Sequence, residues 1–221
     1  MARHRRRHPR HGRHGNPPDL RAFLAHMQAP GRARWQRPRR VVQALGLRRG
    51  QTVCEIGAGS GYFTLRLARA VGPRGHVFAV EAEPRILEAL GRRLRRGRAR
   101  NVTPVLARDD DPLLPAACGD VALVVNTYHH VPDGPVYLRK LARALRPGGR
   151  LAIIDFHRRA TPVGPPVAHR VARETLLADA RRAGLAPVAE LGFLPYQYFV
   201  VLHPAPGPAR HTRRPFVSDA G

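Results

Sequence analysis

The chain has 221 residues, 43% of them hydrophobic, so it can bury a core and wholesale disorder is excluded. No apolar run approaches the roughly 18 residues of a membrane span, and no membrane partner is expected. Cys54 and Cys118 make no disulfide framework and match no zinc spacing; they read as small buried residues of a reducing, cytoplasmic compartment.

The formal charge of +24 is unevenly spread, with +13 in residues 1–50, +9 in residues 51–203 and +2 in residues 204–221. Lys140 is the only lysine. Biased coding toward Arg, Ala, Gly and Pro accounts for such a composition without a polyanionic partner, although basic charge does favour contact with nucleic acid. Residues 1–18 lack an apolar stretch and read as a disordered basic arm without a secretory h-region. His4, His8, His11 and His14 in that arm read as part of a solvated tail before they read as a metal chelate.

Residues 19–50 read as a helical lid segment. Leu20–Met27 suits a short helix that Pro30-Gly31 breaks, and Pro38 opens another with Val41, Val42, Leu45 and Leu47 as its apolar side. Strands are predicted at Thr52–Ile56, His76–Val80, Val102–Leu106, Val121–Val125 and Arg150–Phe156. Helices are predicted at Tyr62–Val71, Pro84–Arg96, Val136–Leu145 and Val171–Ala183. Two strands close the run, Pro187–Leu191 and Tyr196–Leu202, too near each other for a helical crossover and therefore antiparallel. Short apolar strands separated by helices make an α/β fold, doubly wound, with a mostly parallel seven-stranded sheet and an antiparallel last strand. The domain spans residues 51–203, and residues 204–221 read as a disordered tail.

The segment Glu55-Ile56-Gly57-Ala58-Gly59-Ser60-Gly61 carries the chemistry. A buried strand runs into three alternate glycines and then a helix, which lets a ligand approach backbone N–H groups closely. Glu81, at the end of the second strand, stands where an acid grips a ribose. The dinucleotide pattern G-x-G-x-x-G is not met, since Tyr62 stands where its spacing is broken. A carboxylate at Glu55 would also repel a pyrophosphate and welcome a cation. An NAD-dependent oxidoreductase is therefore disfavoured.

With Phe78-Ala79-Val80-Glu81 and Leu145-Arg146-Pro147-Gly148-Gly149, this segment resembles the class I S-adenosylmethionine-dependent methyltransferases. The resemblance runs from about Trp35 to His203. It is greatest to small single-domain bacterial members with a Trp35-Gln36-Arg37-Pro38 opening, an Asn126-Thr127-Tyr128-His129-His130 segment and a closing Leu194-Pro195-Tyr196-Gln197-Tyr198-Phe199. It implies S-adenosyl-L-methionine as cofactor, with Glu55, Gly57, Gly59 and Gly61 along its methionine end and Glu81 on the ribose hydroxyls. Asp110, or else Asp109, would read the adenine, though Arg108 stands where such families commonly place Asp. Asn126 would fix the cofactor's amino acid end.

Ligands of open α/β sheets sit at the carboxyl ends of strands, which brings Asn126–His130 and Asp155 toward the cleft. His129 or His130 is the expected proton acceptor, against a packing role for one and hydrogen bonding for the other. Tyr128, Asp155, His169 and Arg170 are the expected substrate contacts. No metal is expected, because adjacent histidines are not a helical metal motif. Six arginines from Arg92 to Arg100 read as a solvated face, since no aromatic residue is interleaved for base stacking. The function expected is methyl transfer to O, N or C of a small molecule. The alternatives are an RNA or DNA methyltransferase using the basic arm and a cofactor-binding domain without turnover.

Overall fold

The computed structural model of the protein describes residues 19–205. The arm expected over residues 1–18 and all but the first two residues of the expected 204–221 tail lie outside the described residues. Three short helices, α1 (Leu20–Met27), α2 (Arg32–Gln36) and α3 (Pro38–Ala44), lead into β1 (Thr52–Ile56). Then follow α4 (Thr64–Val71), β2 (His76–Glu81), α5 (Pro84–Arg96), β3 (Val102–Leu106) and β4 (Gly119–Val125). The chain continues through α6 (Gly134–Ala144), β5 (Leu145–Phe156), α7 (Arg173–Arg182), β6 (Leu185–Glu190) and β7 (Gln197–Pro204).

The seven strands lie in the order β3-β2-β1-β4-β5-β7-β6. β1 pairs in parallel with β2 and β4, and β7 runs antiparallel to both β5 and β6. The expected doubly wound sheet with its antiparallel last strand is the observed one. Strand alternation sorts the side chains onto two faces. Val53, Val77, Leu123 and Ile154 face one layer with Val41 of α3 and Leu67 of α4, and Ala79 packs beside them with Leu90 of α5. Ile56, Val80, Val124 and Ile153 face the other layer with Leu138 of α6 and Leu176 of α7.

The same alternation places Glu55 and Glu81, at the carboxyl ends of neighbouring strands, on the α4/α5 face. The boundaries differ from expectation in three instructive places. α2 follows directly on the Pro30-Gly31 turn, and Arg37 in the left-handed region (φ 44°) separates it from α3. Tyr62 and Phe63 belong to the turn before α4. β5 begins at Leu145, because Gly148 (φ 75°) lets the Pro147-Gly149 stretch continue as an irregular strand along β4.

Candidate cofactor and active site

β1 ends at Ile56 and the chain turns through Gly57 (φ 70°) and Gly59 (φ 54°), backbone conformations that side chains resist. Space adds to this, most firmly at Gly57, where the neighbour is a short β-branched side chain, whereas at Gly59 it is the flexible tip of Met27. A Cβ on Gly57 would lie 2.1 Å from Thr127 Oγ1, and one on Gly59 would lie 2.1 Å from the Met27 methyl group. The N–H groups of Gly57 and Ala58 both donate to the Val80 carbonyl at 2.9 Å, which pins the loop to β2.

Two carboxyls flank this loop. Glu81 accepts from the Gly59 N–H at 2.8 Å with one oxygen and from the Ala82 and Glu83 N–H groups at 2.9 and 3.1 Å with the other. Burial pushes its pKa up while those three backbone donors pull it down. Glu55 is buried (4% exposed) and accepts from the Thr64 hydroxyl at 2.5 Å. Burial raises its pKa to about 8, against the Thr64 hydrogen bond and the positive charge of Arg32. The folded protein therefore holds this carboxyl largely protonated near neutral pH, and a cation placed beside it would favour its charged form.

The segment from α1 to α2 lies across the loop as a strap. Met27 covers Gly59, Gln28 Nε2 donates to Ser60 Oγ at 2.6 Å and to its carbonyl at 3.2 Å, and the Arg32 guanidinium stacks 4.0 Å above the Tyr62 ring. At the end of α2, Gln36 joins a closed ring of three side-chain amides. Gln36 Nε2 donates to Gln197 Oε1 at 2.8 Å, Gln197 Nε2 donates to Asn126 Oδ1, and Asn126 Nδ2 donates to Gln36 Oε1 at 3.1 Å. Gln36 and Gln197 are both buried, so the ring satisfies polar groups that would otherwise be stranded. It fastens the strap to the ends of β4 and β7. Asn126 holds a left-handed conformation (φ 54°) there, and its amide is committed to this ring.

Beyond Asn126, a 3-10 turn over Tyr128–His130 brings His129 against β5. The His129 Nδ1–H points at both oxygens of Asp155 at 2.9 Å, and the His129 backbone N–H donates to the same carboxyl at 3.1 Å. Asp155 is fully buried and also accepts from the Phe156 N–H at 2.8 Å, so it holds His129 from behind and is sealed from any substrate. The exposed His130 packs against the His129 ring, tilted by 54° with centres 3.9 Å apart.

Tyr128, expected against substrate, is instead buried between α6 and α7, where its hydroxyl donates to Asp179 at 2.9 Å. Arg170 is likewise buried. Its guanidinium donates to the carbonyls of Pro165, His157, Arg159 and Val163 and ties together the loop after β5. His169 sits half-buried on a 3-10 turn in that loop. Asp109 and Asp110 are exposed on a tight turn after β3, where Lys140 donates to the Asp110 carbonyl and pairs with the Asp111 carboxylate. Among the described residues no three His, Cys, Asp or Glu gather as a metal site, and no helix is long and apolar enough to cross a membrane.

Residues 53–149 match the methyltransferase-domain family model. That stretch, a little under half of the chain, is what is similar to methyltransferase domains. Over 109 residues the chain is 38% identical to a protein-L-isoaspartate O-methyltransferase of Methanothrix thermoacetophila, covering 49% of each chain. Over 117 residues it is 32% identical to the ubiquinone/menaquinone biosynthesis C-methyltransferase UbiE of Vibrio campbellii, covering 52% of this chain and 45% of that one. The chain thus spans about half the length of the curated relatives it matches. In fold it is similar to the crystal structure of a SAM-dependent methyltransferase from Aquifex aeolicus, with a TM-score of 0.78 and 23% identity, over 82% of this chain and 96% of that one.

Similarity to methyltransferases implies S-adenosylmethionine as the cofactor, and the residues present fit it. Two carboxyls frame a tight glycine loop, an acceptor set suited to an ammonium and a ribose and hostile to a pyrophosphate. The buried Nε of Arg32 and hydroxyl of Tyr62 have no hydrogen-bond partner in the protein, as expected of groups that await a polar ligand. Thr64, Arg32, Gln36 and Gln197 are parts of the site that sequence reasoning passes over. The Trp35-Gln36 and Tyr196-Gln197 pairs were visible as motif letters, but their meeting across 161 residues was not.

Proposed function

We infer that the protein transfers a methyl group from S-adenosylmethionine to an O, N or C atom of a small molecule. The observation that carries this reading is the glycine loop held between buried Glu55 and Glu81 at the carboxyl ends of β1 and β2. The cofactor supplies an activated methyl group on a sulfonium, so the protein's work is to align, to exclude water and, where the acceptor needs it, to take a proton.

Each task has residues to perform it. Glu81 would hold the ribose hydroxyls and Glu55 the ammonium. The strap, fastened by Met27, Gln28 and the Gln36–Gln197–Asn126 ring, keeps water from the loop. Asp155 keeps the His129 proton on Nδ1 and leaves Nε2 as the basic nitrogen, so His129 is the residue that would accept a proton from the methyl acceptor. A small acceptor is favoured because the strap closes the cofactor loop from outside.

Calorimetric titration with S-adenosylmethionine, S-adenosylhomocysteine and NAD tests the cofactor, and Glu81→Ala serves as the control. Binding of the first two, lost in the variant, supports the reading, and a screen of small hydroxyl, amine and enol acceptors with methyl-labelled cofactor then follows. Binding of NAD alone refutes it.

A further inference from the structure

Arg32 reaches from the strap into the heart of the site. Its Nη1 donates to the Met27 carbonyl at 2.9 Å and its Nη2 to Gln36 Oε1 at 3.3 Å, which aims the planar guanidinium along the Tyr62 ring. Arg66 approaches the same ring to within 4.6 Å of its centre and donates to the Tyr62 carbonyl. Two cations therefore pack against the Tyr62 ring. Burial lowers the Arg32 pKa to about 10, while Glu55 and Tyr62 pull it up.

A half-buried guanidinium with an unpartnered Nε, next to an unpartnered buried phenol, is costly to keep in a bare protein. Both donors are satisfied at once by an acceptor placed between them. Arg presents a planar fork that matches a carboxylate. Glu55 lies in the same electrostatic neighbourhood, so a guanidinium and a carboxyl that an adjacent ammonium would ionise are set near each other, as a zwitterionic amino acid requires. A polyphosphate would meet Glu55 and Glu81 as repelling charges.

We propose that Arg32 is the carboxylate anchor of the site: it takes the α-carboxylate of the cofactor's amino acid end, opposite Glu55 at the ammonium, and thereby draws the strap shut over bound ligand. This rests on the S-adenosylmethionine reading above. Closure follows because Arg32 belongs to the strap and hydrogen-bonds Gln36, so a ligand held by Arg32 also steadies the amide ring that ties α2 to β4 and β7.

Two ligands separate the proposal from the reading beneath it. S-adenosylhomocysteine carries the amino acid end, and 5′-methylthioadenosine is the same thioether nucleoside without it. Titrated calorimetrically into the full chain, both bind the wild type. Arg32→Gln weakens S-adenosylhomocysteine by about 10- to 100-fold, the scale of hydrogen bonds to a charged group, and leaves 5′-methylthioadenosine within about 2-fold. Arg32→Lys, which keeps the charge and loses the fork, recovers part of the difference. By hydrogen exchange, S-adenosylhomocysteine protects residues 19–36 in the wild type and not in Arg32→Gln, and 5′-methylthioadenosine protects them in neither.

Equal weakening of both ligands makes Arg32 a structural residue and overturns the proposal, as does an unchanged affinity for S-adenosylhomocysteine. A wild type that binds neither ligand removes the cofactor reading itself, and the proposal with it.

Discussion

Glu55→Gln replaces a buried carboxyl by a group of the same shape that never ionises and still accepts from the Thr64 hydroxyl. Of the groups facing Glu55, Thr64 and Arg32 lower its pKa and Glu81 adds to the effect of burial, which prevails and raises it from 4.5 to about 8. Below pH ~4.5 the carboxyl is protonated in both the folded and the unfolded chain and costs nothing. Between there and pH ~8 the unfolded chain releases the proton and the folded chain keeps it, so stability falls by about 1.4 kcal/mol per pH unit. Above pH ~8 the full penalty stands.

At pH 7 the cost is about 3 kcal/mol and at pH 5 it is below about 1 kcal/mol. Without ligand, Glu55→Gln is therefore the more stable protein at pH 7. For a domain of this size the gap corresponds to about 6–12 °C in midpoint, shrinking to about 3 °C or less at pH 5. The same variant loses affinity for S-adenosylhomocysteine, because the ammonium it faces has lost its anion. Thermal unfolding followed by far-ultraviolet circular dichroism at the two pH values reads the first effect, and calorimetry reads the second. A variant no more stable than the wild type at pH 7, or a gap that is the same at both pH values, refutes the reasoning. Either result would mean that Arg32 already pairs with an ionised Glu55.

Gly57→Ala puts a Cβ 2.1 Å from Thr127 Oγ1 at a positive φ, and is expected to cost about 2–4 kcal/mol in chemical denaturation and to abolish S-adenosylhomocysteine binding. Tyr128→Phe removes the donor to Asp179 and should cost about 1–3 kcal/mol while leaving cofactor affinity unchanged; lost affinity would return Tyr128 to the cleft. Asp155→Asn takes away the carboxyl that holds the His129 Nδ1 proton. Nitrogen-15 correlation spectra of the histidine rings should show His129 leaving the Nδ1–H tautomer, and an unchanged tautomer would deprive Asp155 of its positioning role.

The elements most legible in the chain were those whose signal is local. The buried runs Thr52–Ile56 and Val121–Val125 read as strands because each is mainly apolar with no amphipathic alternation, as a parallel sheet covered by two helical layers demands, Glu55 being the exception that marks the site. The glycine spacing and Glu81 announced a nucleoside-type ligand, since a left-handed turn and a ribose acceptor each need particular residue types at particular intervals. Alternation even set Glu55 and Glu81 on one face, because pleating has a period of two.

Residue type by itself did not say what each polar side chain would meet. Tyr128 and His129 are neighbours in the chain, yet one donates to Asp179 within the core and the other to Asp155. Arg170 looked like an anion-binding residue until four loop carbonyls surrounded it. The Gln36–Gln197–Asn126 ring and the reach of Arg32 toward Glu55 join segments far apart in sequence, and no periodicity records such meetings. Local propensity and burial pattern thus determined the strands, the parallel character of the sheet and its cofactor loop, while the strand order and the partners of the buried polar groups were decided only when the strap, the strand ends and the helices closed around one another. A polar group out of water must be paired, and only the assembled fold determines which partner is within reach.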